Sequence, residues 1–159
     1  MKKILIFATK LLVMFAIMSI VSWGVDFYPF QEITARFSTD SVNLLGLPAE
    51  MDGIMITVGE KNFLVSEDCT SWKGLFFLMS LIVATGSTAK KKLEGLAIGL
   101  PVLYSLNLLR IVTLIFFTVR YGPAAYEFIH GFLWHSTMVI AVLALWLQWM
   151  RRTKFITDE

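Results

Sequence analysis

Three side chains of this sequence could do chemistry together, and each stands at or inside a different apolar block: the thiol of Cys69, the guanidinium of Arg110 and the imidazole of His130. A thiolate is a strong nucleophile, a guanidinium binds anionic oxygen with a planar fork of donors, and an imidazole moves protons near neutrality. Each also has a plain structural reading. A lone cysteine is commonly a small buried hydrophobe, an arginine can extend to lipid headgroups, and a histidine can be a hydrogen-bonded packing residue. The surroundings of Cys69 argue against the first of these. In Glu67-Asp68-Cys69-Thr70-Ser71-Trp72-Lys73-Gly74 the thiol follows two carboxylates and precedes Thr70 and Ser71, candidate N-caps for a helix starting near Trp72. Such a position is expected to face water.

The elements that must carry these residues are those of a membrane protein. Of 159 residues 57% are hydrophobic and 16% charged, the mean hydropathy is +0.70, and the apolar residues gather in long blocks. The net charge of +2 is too small to indicate a nucleic-acid partner, and Lys and Arg flank the apolar blocks instead of lining one face. One cysteine permits no intrachain disulfide and excludes dithiol oxidoreductase chemistry. Two histidines and no Cys/His cluster give no expectation of a metal site, and no cofactor is expected.

The blocks predict an all-α membrane protein of about four transmembrane helices, a single integral membrane domain over residues 1–159. Helix one spans about 4–25, behind Met1-Lys2-Lys3 and interrupted by Lys10. A cleaved signal peptide shares these features, but Ser22-Trp23-Gly24 is a poor cleavage site, so a retained anchor is expected. Residues 26–68 form a small extracytoplasmic segment. Within it Phe30, Ile33, Phe37, Leu44 and Leu45, set among Gln31, Glu32, Arg36 and Asp40, suit an amphipathic helix on the membrane surface or over the bundle, ended by Gly46 and Pro48. The run from Ile54 to Val58, the turn-like Gly59-Glu60-Lys61-Asn62 and then Phe63 to Val65 suit a short β-hairpin. The remaining helices are predicted at about 72–88, 93–119 and 128–150. Pro101 is a candidate kink in the third, Gly95 and Gly99 a candidate close-contact pair, and Trp146 and Trp149 a candidate interfacial belt.

Charge sets the expected orientation. Placing the N-terminus, the Lys90-Lys91-Lys92 loop and the C-terminal tail on one side gathers Lys2, Lys3, Arg151, Arg152 and Lys154 there as well, against Arg36, Lys61, Lys73 and Arg120 on the other. The first side is then cytoplasmic. Residues 26–68, Cys69 and the loop at 120–127 fall outside the cytoplasm, where thiols are commonly oxidised. Arg110 lies roughly 26 Å along helix three, in the outer half of the bilayer. A charge at the bilayer centre costs from about 2.5 to above 10 kcal/mol, so Arg110 is expected to face the bundle interior or a wet cavity, unless it snorkels. Asn107 shares its face. His130 opens helix four on the outer side, while His135 is about 140° round the helix and roughly 7.5 Å deeper, so the two can hardly serve one site equally.

In this frame the sequence resembles the exosortase/archaeosortase transpeptidases of prokaryotic membranes. The resemblance rests on the Cys at the mouth of a helix in Glu67-Asp68-Cys69-Thr70-Ser71-Trp72, on Asn107-Leu108-Leu109-Arg110-Ile111 in the next, and on Ile129-His130-Gly131-Phe132-Leu133-Trp134 opening the last. It covers roughly Glu67 to Trp149. Two departures stand out: Ser71 occupies a position where many members have glycine, and many members are longer, with extra helices. The resemblance implies cleavage of a C-terminal sorting signal on secreted proteins, made of a short motif, a transmembrane helix and a basic tail, with transfer to an envelope acceptor such as a lipid. It implies Cys69 as nucleophile, His130 as acid/base and Arg110 as oxyanion partner, at the outer side of the cytoplasmic (inner) membrane in a multi-pass protein. A thiolate at a helix N-terminus gains from the dipole, whereas Glu67 and Asp68 oppose it, so His130, Arg110 or Lys73 must offset them. The rival is a non-enzymatic four-helix assembly factor or transporter subunit in which Arg110 pairs with a partner's acidic residue.

Overall fold

The first apolar block folds as α1 (Lys2–Gly24), and the computed structural model describes residues 2–124 and 134–153. After α1 come α2 (Tyr28–Leu44), the strands β1 (Ala49–Asp52), β2 (Met55–Val58) and β3 (Lys61–Leu64), a 3-10 turn (Glu67–Thr70), α3 (Trp72–Ala84), α4 (Ala89–Tyr121) and α5 (Trp134–Arg152). The chain divides into two units, Met1–Val25 with Lys73–Leu103 and Ile140–Glu159, and Asp26–Trp72 with Tyr104–Val139.

In the first unit the side chains of α1 are largely exposed, with Phe7 stacked on Trp146 at 6.1 Å. Among the described residues, two helices are long and apolar enough to cross a membrane, Ile4–Gly24 and Ala89–Tyr121. They correspond to the first and third of the four expected crossings. α3 has 13 residues and stops at Ala84, short of the predicted 88; at about 1.5 Å per residue it is ~20 Å long, against ~30 Å of hydrocarbon. The stop has a local cause. Thr85-Gly86-Ser87-Thr88 are poor helix formers, and the Lys92 ammonium donates to the Val83 carbonyl at 2.7 Å, closing the helix end.

α4 begins at Ala89, so the three lysines expected in a loop lie in its first turn. Cations there oppose the helix's own dipole, but Lys91 reaches the Thr153 carbonyl at 3.1 Å and Lys92 reaches α3. Both serve the carbonyl ends of other helices, where positive charge is favourable. Pro101 lies inside α4. The glycine pair does mark close contact. A Cβ on Gly95 would fall 2.5 Å from the Trp149 indole nitrogen, and one on Gly99 would fall 2.9 Å from a Leu78 methyl. Trp149 is therefore a packing residue and not part of a lipid belt: it is 9% exposed and donates to the Lys91 carbonyl at 2.9 Å. Trp146 donates to the Thr85 hydroxyl at 3.0 Å. The expected start of the last helix, 128–133, lies outside the described residues.

The second unit is built on α2 and a three-stranded antiparallel sheet of order β1-β2-β3. α2 turns its small and polar side inward, burying Gln31, Thr34, Ala35, Ser38, Thr39 and Val42, and leaves Phe30, Ile33, Phe37 and Leu44 exposed. Small side chains allow close approach, and two of the polar ones reach beyond the helix: Gln31 Nε2 donates to the Val65 carbonyl at 2.9 Å and Thr34 Oγ1 lies 3.2 Å from the Tyr104 hydroxyl. The sheet has one strand more than the expected hairpin. β1 is held at its start by Asn43, whose side chain bonds both the N–H and the carbonyl of Ala49 at 2.7 and 3.1 Å. The hairpin turn is also tighter than expected. Val58 pairs with Lys61, leaving Gly59-Glu60 as a two-residue turn with Gly59 at φ +61°. Ala35, Val42, Ile56, Val58, Val65, Ile111, Val112 and Ile115 form the core of this unit, with Cys69 packed against it.

Candidate active site

The thiol sits on the turn between β3 and α3. Ser66, extended at φ −72° and ψ 168°, leads into the 3-10 turn, which is closed by the Cys69 N–H to the Ser66 carbonyl at 2.9 Å and by the Thr70 hydroxyl to the Glu67 carbonyl at 2.7 Å. α3 starts at Trp72 as expected, and Trp72 is stacked on Phe27 with ring centroids 4.7 Å apart. The reversal from turn to helix falls on Ser71, at φ +61° and 5% exposed. That is left-handed backbone, which costs a side chain roughly 1–2 kcal/mol and which glycine adopts freely. Here lies a physical reason for glycine to suit this position in the resembling family. Cys69 is half-buried, not open to water on all sides, whereas Glu67 and Asp68 are exposed.

Two groups fix the cysteine. The Ser66 hydroxyl lies 3.4 Å from Cys69 Sγ. Asn107, 0% exposed on α4, donates from Nδ2 to the Cys69 carbonyl at 2.6 Å, and its Oδ1 accepts from Arg110 Nη1 at 3.3 Å. The amide can face only this way, since the flipped orientation would set acceptor against carbonyl and donor against guanidinium. Cys69 and Arg110 thus share one intermediary, and both line a cavity of about 660 Å³. Its α4 wall is Arg110, Ile111, Leu114, Ile115 and Thr118, one face of the helix at i, i+4, i+8 spacing. A nucleophile and a cation lining one cavity can attack a carbonyl and receive the charge that develops on its oxygen.

Of the residues singled out in the sequence, Cys69, Asn107 and Arg110 come together. His130 lies outside the described residues, and His135 is the second residue of α5. Sequence reasoning missed Ser66, although a hydroxyl three residues before a cysteine at a turn is a readable spacing. It also missed that Asn107 holds the cysteine's backbone. Among the described residues no group of three or more His, Cys, Asp and Glu residues could hold a metal ion.

Searches of curated proteins and of solved structures match nothing. The family model described as transmembrane exosortase matches residues 2–147, so the correspondence reaches back from Cys69 through the sheet, α2 and α1, well beyond the stretch that carried the resemblance. With a match over nearly the whole sequence, this chain belongs to the transmembrane exosortase family.

Proposed function

We propose that this membrane protein is a cysteine transpeptidase/peptidase that cleaves C-terminal sorting signals of secreted proteins through a thioester and transfers them to an envelope acceptor. The observation that carries the reading is the link from the Cys69 carbonyl through the buried Asn107 amide to Arg110, at the wall of one cavity. A cysteine kept only for packing needs no such anchoring.

The chemistry balances with the residues named. Cys69 Sγ attacks the scissile carbonyl as its proton passes to His130, the Arg110 guanidinium meets the tetrahedral oxyanion, and the carbon–nitrogen bond breaks as His130 returns the proton to the leaving amine. An acceptor hydroxyl from lipid, or water, then attacks the thioester. Its proton passes through His130 to the departing thiolate. The Ser66 hydroxyl supplies a donor to that thiolate. Four crossings, with residues 26–68 and Cys69 on the extracytoplasmic side of the inner membrane, complete the proposal. The exposed Phe30, Ile33, Phe37 and Leu44 of α2 are the side chains a lipid surface would cover.

The test is processing of a co-encoded secreted protein that ends in a motif, an apolar helix and basic residues, by wild-type enzyme and by Cys69→Ala at matched membrane levels. The variant should be inserted and inactive. Normal processing by Cys69→Ala would remove the enzyme reading and favour the non-catalytic assembly factor.

A further inference from the structure

The strand that leads into Cys69 has an open edge. β3 pairs with β2 on one side, and among the described residues no strand pairs with it on the other. A two-residue turn makes Val58–Lys61 a hydrogen-bonded pair, and the alternation continues to Val65, whose N–H donates to the Ile54 carbonyl at 2.9 Å. Lys61, Phe63 and Val65 therefore spend their backbone groups on β2, and Asn62 and Leu64 direct theirs outward. The cavity beside Cys69 follows this edge. A cavity confined to one face of a strand is lined by alternate residues, whereas this one is lined by 61–66 without a gap, by Cys69 and, on β2, by Ile56.

We infer that the free edge of β3 receives the substrate as an added β-strand. The inference rests on the reading of Cys69 as nucleophile and names how that site takes its substrate: an extended peptide segment, held by main-chain hydrogen bonds to Asn62 and Leu64. The thioester retains the residues upstream of the scissile bond. Those residues run alongside β3 and end at Cys69, beyond its C-terminal end, so they run parallel to it. On the α4 wall Ile111, Leu114 and Ile115 lie between Arg110 and Thr118, and this helical stretch spends its backbone groups within the helix. Affinity then comes from the peptide backbone, and side-chain preference comes from alternate positions that face the sheet's two sides.

The test uses synthetic peptides copied from the C-terminus of a processed co-encoded protein, spanning the cleavage site and the apolar helix, with one backbone amide N-methylated at a time upstream of that site. Methylation should slow Cys69-dependent cleavage at least tenfold at every second residue and leave the intervening residues within about threefold. Uniform tolerance, or loss without a two-residue period, overturns the added strand while leaving the nucleophile intact. Failure of wild-type enzyme to cleave the unmethylated peptide, or cleavage of it by Cys69→Ala, overturns the nucleophile reading and the strand with it. A second arm acts on the enzyme. Asn62→Pro removes an outward N–H that β2 does not use and should reduce cleavage of the unmethylated peptide at least tenfold with thermal stability retained; full activity in a folded Asn62→Pro variant overturns the inference.

Discussion

Replacing Asn107 with leucine probes the link between the cysteine and the arginine with little change of volume. Two bonds go. The shorter, 2.6 Å to the Cys69 carbonyl, leaves a shielded acceptor without its donor, a loss of about 1–3 kcal/mol. The longer, 3.3 Å from Arg110, is at the weak end for an N–H to oxygen contact and adds less. If the loss falls on the placement of thiol and guanidinium, 1–3 kcal/mol slows the reaction by about 5- to 150-fold. The assay is the initial rate of substrate cleavage in membranes at matched enzyme levels, for Asn107→Leu, Arg110→Lys and the double variant. Because Arg110 is oriented through Asn107, the double variant should lose less than the product of the two single losses. A single Asn107→Leu variant within twofold of wild type, or losses that multiply, would refute the coupling.

Ser71→Gly removes the left-handed backbone cost of roughly 1–2 kcal/mol but adds about 0.4–1 kcal/mol of unfolded-state freedom, so thermal unfolding in detergent should show an unchanged or raised Tm; a clear fall would contradict the strain argument. Gly95→Ala forces a Cβ to 2.5 Å from the Trp149 indole and should lower stability by about 1–3 kcal/mol, read as a lower Tm, whereas a stable variant would mean that the helices part without cost. His130→Ala should abolish or severely slow processing and His135→Gln should have a mild effect; the reverse would reassign the acid/base to His135. A membrane-impermeant thiol reagent on intact cells should label Cys69, and labelling only after the inner membrane is opened, with a periplasmic control cysteine already labelled, would invert the topology.

Much of the site was legible because its parts obey local rules. A polar-to-apolar transition located the turn at Cys69, and three-residue spacing on a helix put Asn107 and Arg110 on one face. The rest depended on contacts between distant segments. β1 is poor in branched and aromatic residues and forms because Asn43 and β2 hold it, a pairing no local pattern announces. The inward face of α2 was not legible for a related reason. Its large apolar residues look outward, and the packed face is chosen by small side chains and by polar partners on Val65 and Tyr104. The lysines at 90–92 read as a loop because their value is to the carbonyl ends of other segments, at Val83 and Thr153, and not to their own helix. Trp149 read as a belt residue because nothing in its own segment shows that Gly95 leaves room for an indole.

The central claim is a covalent intermediate on Cys69, and hydroxylamine reports on it directly. Hydroxylamine added to the enzyme with its substrate competes with the natural acceptor for the thioester and converts the released N-terminal product into a hydroxamate, which mass spectrometry distinguishes from a carboxylate. Cleavage by wild-type enzyme should yield a C-terminal hydroxamate in proportion to hydroxylamine, and Cys69→Ala should yield neither cleavage nor hydroxamate. Cleavage that persists in Cys69→Ala, or wild-type cleavage that gives no hydroxamate at saturating hydroxylamine, would contradict the account.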